Sequence, residues 1–132
     1  MVSELTLDQA WTALETDPDA VLIDVRTVAE WNFVGLPNLG SLGKAVRTVE
    51  WVRFPDGAPN PQFVAQATEG LTPTTTVLLL CRSGARSRAA AQALAAAGFP
   101  DVHNVTAGFE GDLDPEGHRH GGWKDALPWI QS

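Results

Sequence analysis

The sequence predicts an α/β fold: a small, doubly wound sheet of mainly parallel strands flanked by helices. Short β-branched apolar runs alternate along the chain with amphipathic helical patterns, which is typical of a parallel sheet covered on both faces. The chain has 132 residues, which is enough for one domain with its own core. Its 44% hydrophobic and 19% charged residues are typical of a globular protein rather than a disordered one.

The first predicted elements are a helix, a strand and a second helix. Thr6 and Gln9 form a capping-box pattern, and apolar residues follow at helical spacing until Asp17-Pro18-Asp19 ends the helix. The run 21–25 is rich in β-branched residues and predicts a buried strand. A short helix is expected from about Thr27 to Trp31.

Residues 35–61 form a long connection that is rich in glycine and proline. Several large apolar residues in it need burial, so we predict a folded surface segment rather than a flexible linker. Residues 49–52 are a candidate short strand. Asn60 and Pro61 indicate a helix start, with Asn60 as the N-cap and Pro61 at the first helical position, and Gly70 ends this helix.

The elements around the single cysteine are the most clearly marked. A strand at 76–80 leads into Cys81, and a helix is predicted over 88–97. Ser87 is the predicted N-cap of this helix, and Gly98 is the predicted C-terminal glycine. Cys81 is therefore expected at the carboxyl end of a strand, where ligands bind in doubly wound sheets.

The predicted elements make up one domain over residues 1–132, with the long connection at 35–61 and a C-terminal extension at 111–132. A third strand is expected at 102–105. The extension shows no periodicity up to residue 122, which predicts a loop, and one helical turn is expected between Trp123 and Trp129.

Charge and cysteine content narrow the classes of partner. The formal net charge of −7 argues against a nucleic-acid partner. The sequence has no apolar stretch near the ~20 residues of a membrane span and no visible targeting segment, so we expect a cytoplasmic protein. We also expect a monomer. The single cysteine excludes an internal disulfide and a metal site built from cysteines alone.

The segment between the strand and the helix has the composition of an anion-binding loop. It consists of Cys81, Arg82, Ser83, Gly84, Ala85, Arg86 and Ser87. Gly84 permits a positive φ, which lets successive N–H groups point inward at an anion. The helix N-terminus and the two nearest arginines favour a negative charge on sulfur. We therefore predict that Cys81 is largely thiolate at neutral pH; the plain alternative is a small buried hydrophobic residue.

This segment resembles the active-site loop of the rhodanese family of sulfurtransferases, which commonly shows Cys-Arg-Ser-Gly-x-Arg-Ser after a hydrophobic strand. A second stretch, Leu22-Ile23-Asp24-Val25-Arg26 followed by Glu30-Trp31, is similar to the family's amino-terminal signature. The third match consists of Gly98-Phe99, Val102, Asn104-Val105 and Gly108-Phe109. Residues 35–40 depart from the family's usual Gly-His-Ile-Pro-Gly-Ala pattern because the histidine is missing. The extension is similar to one found in a bacterial subgroup.

The resemblance implies a persulfide mechanism without a cofactor. Cys81 would take the outer sulfur of a small anionic donor such as thiosulfate, or of a persulfide donor, and pass it to cyanide, a thiol or a protein acceptor. Arg82 and Arg86 would bind the anionic end of the donor, and the loop residues 82–87 would stabilise the persulfide. By this resemblance, Asp24 and Arg26 order the loops around the cysteine. Glu30 is expected to have the same supporting role. For either loop arginine the alternative is a structural ion pair with Asp24 or Glu30.

The histidines give weak signals. His103 lies in the third strand and is expected to pack or face solvent. His118 and His120 have no third ligand at a suggestive spacing, so we predict no metal site. The C-terminal extension carries His118 and His120. It is a candidate for a segment that folds over the active site and helps to form the acceptor pocket.

Other classes of function stay open. Cysteine phosphatases and arsenate reductases use a similar strand, loop and helix, but their loops place one residue more between cysteine and arginine than the four found here. A non-catalytic interaction or sensing module would be expected to lack the cysteine. A dedicated persulfide carrier would share the chemistry and differ only in its partners.

Overall fold

The computed structural model describes residues 2–131. The strands are β1 (Ser3–Leu5), β2 (Val21–Asp24), β3 (Leu36–Pro37), β4 (Arg47–Thr48), β5 (Val77–Leu80), β6 (Val102–Val105), β7 (Gly111–Leu113), β8 (Arg119–Gly121) and β9 (Trp129–Ile130). The helices are α1 (Leu7–Thr16), α2 (Val28–Phe33), α3 (Phe63–Ala67), α4 (Ala85–Ala96) and α5 (Trp123–Ala126).

Five of these strands form a parallel central sheet in the order β1-β6-β5-β2-β4. All four residues of β5 are buried, because successive side chains point to opposite faces and both faces are covered. Val77 and Leu79 pack on one face with residues of α3 and α4. Leu78 and Leu80 pack on the other face with residues of α1 and with the buried indole of Trp123. The predicted α/β fold with a doubly wound, mainly parallel sheet is confirmed.

The predictions for the first half of the chain are confirmed in part. Thr6 and Gln9 form the capping box of α1, and Thr27 is the N-cap of α2. The prediction of a strand at 49–52 is wrong, because β4 ends at Thr48. The chain then folds back, and Val52 forms an isolated bridge to Pro59.

The predicted start of the next helix is also wrong. Helix α3 begins at Phe63 with Gln62 as its N-cap. The Asn60 side chain instead accepts a hydrogen bond from the Gln62 N–H at 3.1 Å and donates one to the Glu50 carbonyl at 2.9 Å. It therefore stabilises a turn before the helix. The helix ends at Ala67, before Gly70.

The C-terminal extension is more regular than its composition predicts. Strands β7 and β8 pair in an antiparallel hairpin where we predict a loop. The expected helical turn is present as α5, and β9 then pairs with β3. The Trp123 N–H donates to the Gly108 carbonyl at 2.8 Å, which fixes the extension beside the end of β6. Within residues 2–131 no helix has the length and apolar character that a membrane crossing requires.

Candidate active site

Cys81 lies directly after β5, the middle strand of the sheet, and is only 1% exposed. Two donors face its sulfur. The Gly84 N–H lies 3.1 Å from Sγ, and the Ser87 hydroxyl oxygen lies 3.2 Å from Sγ. Hydrogen bonds to an ionised acceptor are stronger than those between neutral groups, so this pair of donors favours a negatively charged sulfur.

Gly84 determines the shape of the loop. Its φ of +104° lies in the left-handed region, and a Cβ built there would lie 2.5 Å from the carbonyl oxygen of Thr106. Only glycine fits this position without displacing backbone. With Gly84 as the N-cap, α4 begins at Ala85, three residues earlier than predicted. The N-terminus of the helix consequently starts beside the sulfur of Cys81.

Ser87 is not the N-cap that the sequence predicts, because it lies inside the first turn of α4 and is completely buried. Its hydroxyl has three acceptors within reach: the sulfur of Cys81, the Gly84 carbonyl at 3.3 Å and the Asn104 amide oxygen. A hydroxyl carries one proton, so it can serve only one of them fully at a time. A charged sulfur would be the strongest of these three acceptors.

Asn104 is a contributor to the site that the sequence reasoning did not single out. It is fully buried on β6, and its Nδ2 donates to the Gly84 carbonyl at 3.1 Å and to a carboxylate oxygen of Glu4 at 2.9 Å. These two acceptors fix the amide so that its oxygen faces Ser87. A polar residue in a buried strand is the sequence signal that could have found it.

Arg86 forms a bidentate ion pair with Glu30, at 2.7 Å for Nη1–Oε1 and 3.0 Å for Nη2–Oε2. Burial raises the pKa of Glu30, but the hydrogen bonds and charge of Arg86, the Thr27 N–H and the charge of Arg26 together lower it more, so the pKa lies below its ordinary value. The hydrogen bonds to Glu30 raise the pKa of Arg86, and a negative charge at Cys81 raises it further. Arg86 is therefore permanently cationic and close enough to the sulfur to act on it electrostatically.

Asp24 and Arg26 form a second ion pair, which is completely buried at 2.7 Å. Arg26 also donates to the Gly35 carbonyl at 2.7 Å, and its guanidinium lies 4.2 Å from the ring centre of Phe109. These contacts connect the carboxyl end of β2 to the start of the long connection and to the segment after β6. The pair is placed to support the loops near Cys81.

The other members of the predicted loop face outward or lie at its edge. Ser83 is half-buried, and Ala85 is exposed at the start of α4. Arg82 is exposed, and its carbonyl accepts hydrogen bonds from the N–H groups of Glu110 at 3.0 Å and Gly111 at 3.2 Å. The loop is thereby connected directly to the C-terminal extension.

The histidines lie apart from the sulfur's hydrogen-bond network. His103 is half-buried, and its Nε2 lies 2.6 Å from a carboxylate oxygen of Asp101. His118 and His120 do have a third potential ligand, because Asp114 lies with them at the tip of the β7–β8 hairpin. The spacing of these three residues in the sequence did not indicate the group, because the β7–β8 hairpin that brings them together was not predicted. The Asp114 carboxylate accepts the N–H groups of Glu116 and His118, which closes the hairpin.

Comparisons with known proteins agree on one family. A model of the rhodanese-like domain matches residues 6–113. The chain is 33% identical over 132 residues to the uncharacterized protein RP600 of Rickettsia prowazekii, covering 98% of each. It is 32% identical over 109 residues to thiosulfate sulfurtransferase 18 of Arabidopsis thaliana, covering 82% of this chain and 76% of the other. The crystal structure of Rv0390 from M. tuberculosis is similar with a TM-score of 0.91 and 47% identity, covering 99% of this chain and 98% of the other.

Proposed function

The chain belongs to the rhodanese-like domain family, a sulfurtransferase-type family, and on that premise we propose that it transfers a sulfane sulfur through a persulfide on Cys81. The observation that carries the proposal is the pair of donors that converge on Sγ, at 3.1 and 3.2 Å, beside the start of a helix. A nucleophilic cysteine needs a stabilised thiolate, and two donors at a buried sulfur support that role for Cys81.

In the first step the Cys81 thiolate attacks the outer sulfur of thiosulfate. The sulfur–sulfur bond of the donor breaks, and its electron pair leaves with sulfite. Cys81 then carries one additional sulfur as a persulfide anion. The dipole of α4 and the Gly84 N–H stabilise the anion in both states, because neither has to reorganise during the reaction.

In the second step a nucleophilic acceptor takes the outer sulfur. Cyanide attacks that sulfur, the bond to Sγ breaks, and its electron pair returns to Sγ, which gives thiocyanate and the Cys81 thiolate. A thiol acceptor reacts in the same way and leaves with a persulfide. The chain has no second cysteine that could form a disulfide with Cys81, so the sulfur has to leave to an outside acceptor.

Arg86 and Arg82 supply positive charge for the anionic donor. Arg86 uses two of the five guanidinium N–H groups on Glu30, so the others are free to face a sulfonate. Arg82 is exposed at the loop surface. The role proposed for Glu30, Asp24 and Arg26 is to hold the loops in this arrangement.

The deciding experiment is to incubate the protein with thiosulfate and measure its intact mass. One added sulfur atom is expected, and cyanide should then remove it with formation of thiocyanate. Cys81→Ser should show neither the adduct nor the product. Absence of an adduct in the wild-type protein, or an adduct that persists in Cys81→Ser, would refute the proposal.

A further inference from the structure

The basic residues of this acidic protein are distributed unevenly. The chain has nine Lys and Arg against a net charge of −7. Three of the nine line one open groove of about 600 Å³, beside the cysteine loop: Arg82, Arg119 and Lys124. Within residues 2–131 none of these three forms an ion pair with a carboxylate, whereas the arginines at 26, 86 and 88 all do. The groove therefore brings together three cationic side chains that have no ion-pair partner among the described residues.

The groove is fixed rigidly against the loop that carries Cys81. The Phe109 N–H donates to the Cys81 carbonyl at 2.8 Å, and the Lys124 N–H donates to the Phe109 carbonyl at 3.0 Å. A Cβ on Gly108 would lie 2.4 Å from the Arg82 carbonyl oxygen, so the two backbones are in close contact. The distance between the groove and the nucleophile is consequently set by backbone packing rather than by mobile side chains.

The side chains of the groove are also held in place. Arg119 Nη1 donates to the Gly111 carbonyl at 2.9 Å, and Lys124 Nζ lies 4.6 Å from the ring centre of Trp129. Two carboxylates line the groove as well, and one of them, Asp125, accepts the Gly121 N–H at 2.8 Å. Three cations against two carboxylates leave an excess of positive charge, with free guanidinium N–H groups that can bind carboxylate.

We propose that this groove binds the carboxylate end of the sulfur acceptor, so that the acceptor is a thiol carrying carboxylate groups. The inference rests on the proposed function. In thiosulfate the sulfonate is bonded directly to the sulfur that Cys81 attacks, so the donor's charge stays at Cys81 itself. A thiol acceptor carries its carboxylates on carbon rather than on sulfur, so it can place its thiol at the persulfide and its carboxylates among Arg82, Arg119 and Lys124.

The proposal fixes how the outer sulfur moves from the Cys81 persulfide to the acceptor thiol. The acceptor thiol gives its proton to the outer sulfur of the Cys81 persulfide anion, and the resulting acceptor thiolate attacks that outer sulfur. The bond from that sulfur to Sγ breaks, its electron pair stays on Sγ, and the proton stays on the transferred sulfur. The products are the acceptor persulfide and the Cys81 thiolate. No oxidant or reductant is needed.

The test compares two thiol acceptors with thiosulfate as the donor: mercaptosuccinate, which has two carboxylates, and the neutral thioglycerol. In the wild-type protein kcat/KM should be higher for mercaptosuccinate. In Arg119→Gln/Lys124→Gln the ratio of the two kcat/KM values should fall about tenfold, since each exposed charge contact contributes about twofold to fivefold. Arg53→Gln removes one positive charge, as Lys124→Gln does, from an exposed residue outside the groove and should leave the ratio unchanged.

Two further measurements separate the possible failures. Lys124→Gln alone leaves the Arg119 hydrogen bond to the hairpin intact and should lower the ratio by about threefold if the groove binds acceptor. Binding is also measured without turnover, by titrating Cys81→Ser with succinate and following backbone amide NMR signals. Shifts at Arg119 and Lys124 that disappear in the double variant support the groove. If the wild-type protein forms thiocyanate but the variants leave the ratio of the two kcat/KM values unchanged, binding of the acceptor in the groove is refuted and the sulfurtransferase activity is not. If the wild-type protein forms no thiocyanate, the proposed activity is refuted, and the succinate titration alone shows whether the groove binds carboxylates.

Discussion

Replacing Arg86 by glutamine tests the electrostatic arrangement around Cys81 most directly. Helix α4 offers a matched control, because Arg88 also pairs with a glutamate and lies one half-turn further along the same helix. The Arg86–Glu30 side chains are 27% and 20% exposed, whereas those of Arg88 and Glu4 are 45% and 41% exposed. Both substitutions remove one positive charge, so a difference between them reports on position rather than on net charge.

The effect on stability follows from these exposures. Exposed ion pairs contribute about 0–1 kcal/mol, and removing one partner of a buried pair costs about 3–5 kcal/mol. The intermediate burial of Arg86 and Glu30 places the expected loss at about 2 kcal/mol, against less than about 1 kcal/mol for Arg88→Gln. With a urea m-value of about 2 kcal/mol per M, the unfolding midpoint of Arg86→Gln should fall by about 1 M.

The pH dependence of this loss has a definite sign. The pKa of Glu30 in the folded protein lies below its ordinary value of 4.5: burial is the largest single influence and raises it, but Arg86, the Thr27 N–H and Arg26 together lower it further. The ion pair therefore contributes fully above about pH 4.5, and its contribution disappears as the pH falls through the lower folded pKa. The difference in free energy of unfolding between wild type and Arg86→Gln should shrink steadily below about pH 4.5.

Activity provides the second readout. Arg86→Gln should lower kcat/KM for thiosulfate by about tenfold to a hundredfold, which corresponds to losing one charge-assisted hydrogen bond of about 1.5–3 kcal/mol. Arg88→Gln should stay within about twofold of wild type. Equal activities of the two variants would remove Arg86 from the donor site. A stability difference that persists unchanged at about pH 3 would refute the electrostatic explanation of the pair.

Three further substitutions test the loop and its supports. Gly84→Ala would place a Cβ 2.5 Å from the Thr106 carbonyl at a φ of +104°, so we expect a loss of about 2–3 kcal/mol in thermal unfolding and no persulfide in the intact mass; a normal adduct would contradict this. Ser87→Ala removes a donor to Sγ and should slow alkylation of Cys81 by iodoacetamide at neutral pH by about tenfold. Trp123→Ala empties a completely buried site and should cost about 3–5 kcal/mol in urea unfolding, whereas a loss below about 1 kcal/mol would show that the extension is dispensable.

The sequence predicted those parts of the fold in which local side-chain pattern determines burial. The apolar runs before Asp24 and Cys81 are confirmed as β2 and β5, because strands covered on both faces have to be apolar throughout. Strand β1 was not predicted. Its three residues, Ser3–Leu5, have no apolar pattern, and they form a strand because they pair with β6, about a hundred residues later. The β7–β8 hairpin escaped prediction for the same reason, since its strands are short, polar and mostly exposed.

In the candidate site, too, some features were predictable from the sequence and others were not. The order of residues 81–87 predicted a sulfur at the end of a strand beside a helix start, and the structure has this arrangement. The start of α4 at Ala85 depends on the conformation of Gly84, which the sequence permits but does not determine. Of the partners considered for Arg86, the structure shows Glu30. Three expectations are still predictions: that Cys81 is a thiolate, that the protein is a monomer and that it is cytoplasmic.

In the proposed mechanism, the position of Ser87 inside α4 would let the buried site alternate between charged and uncharged sulfur. While Sγ carries a charge, the hydroxyl and the Gly84 N–H both donate to it. When the charge moves outward onto the transferred sulfur, the hydroxyl can turn to the Asn104 amide oxygen and is not left unpaired. The return of the sulfur to a thiolate in the second step again needs both donors, because Sγ is then the leaving group. Ser87→Ala should therefore slow sulfur transfer to the acceptor as well as attack on the donor, which single-turnover release of thiocyanate from the preformed persulfide would measure.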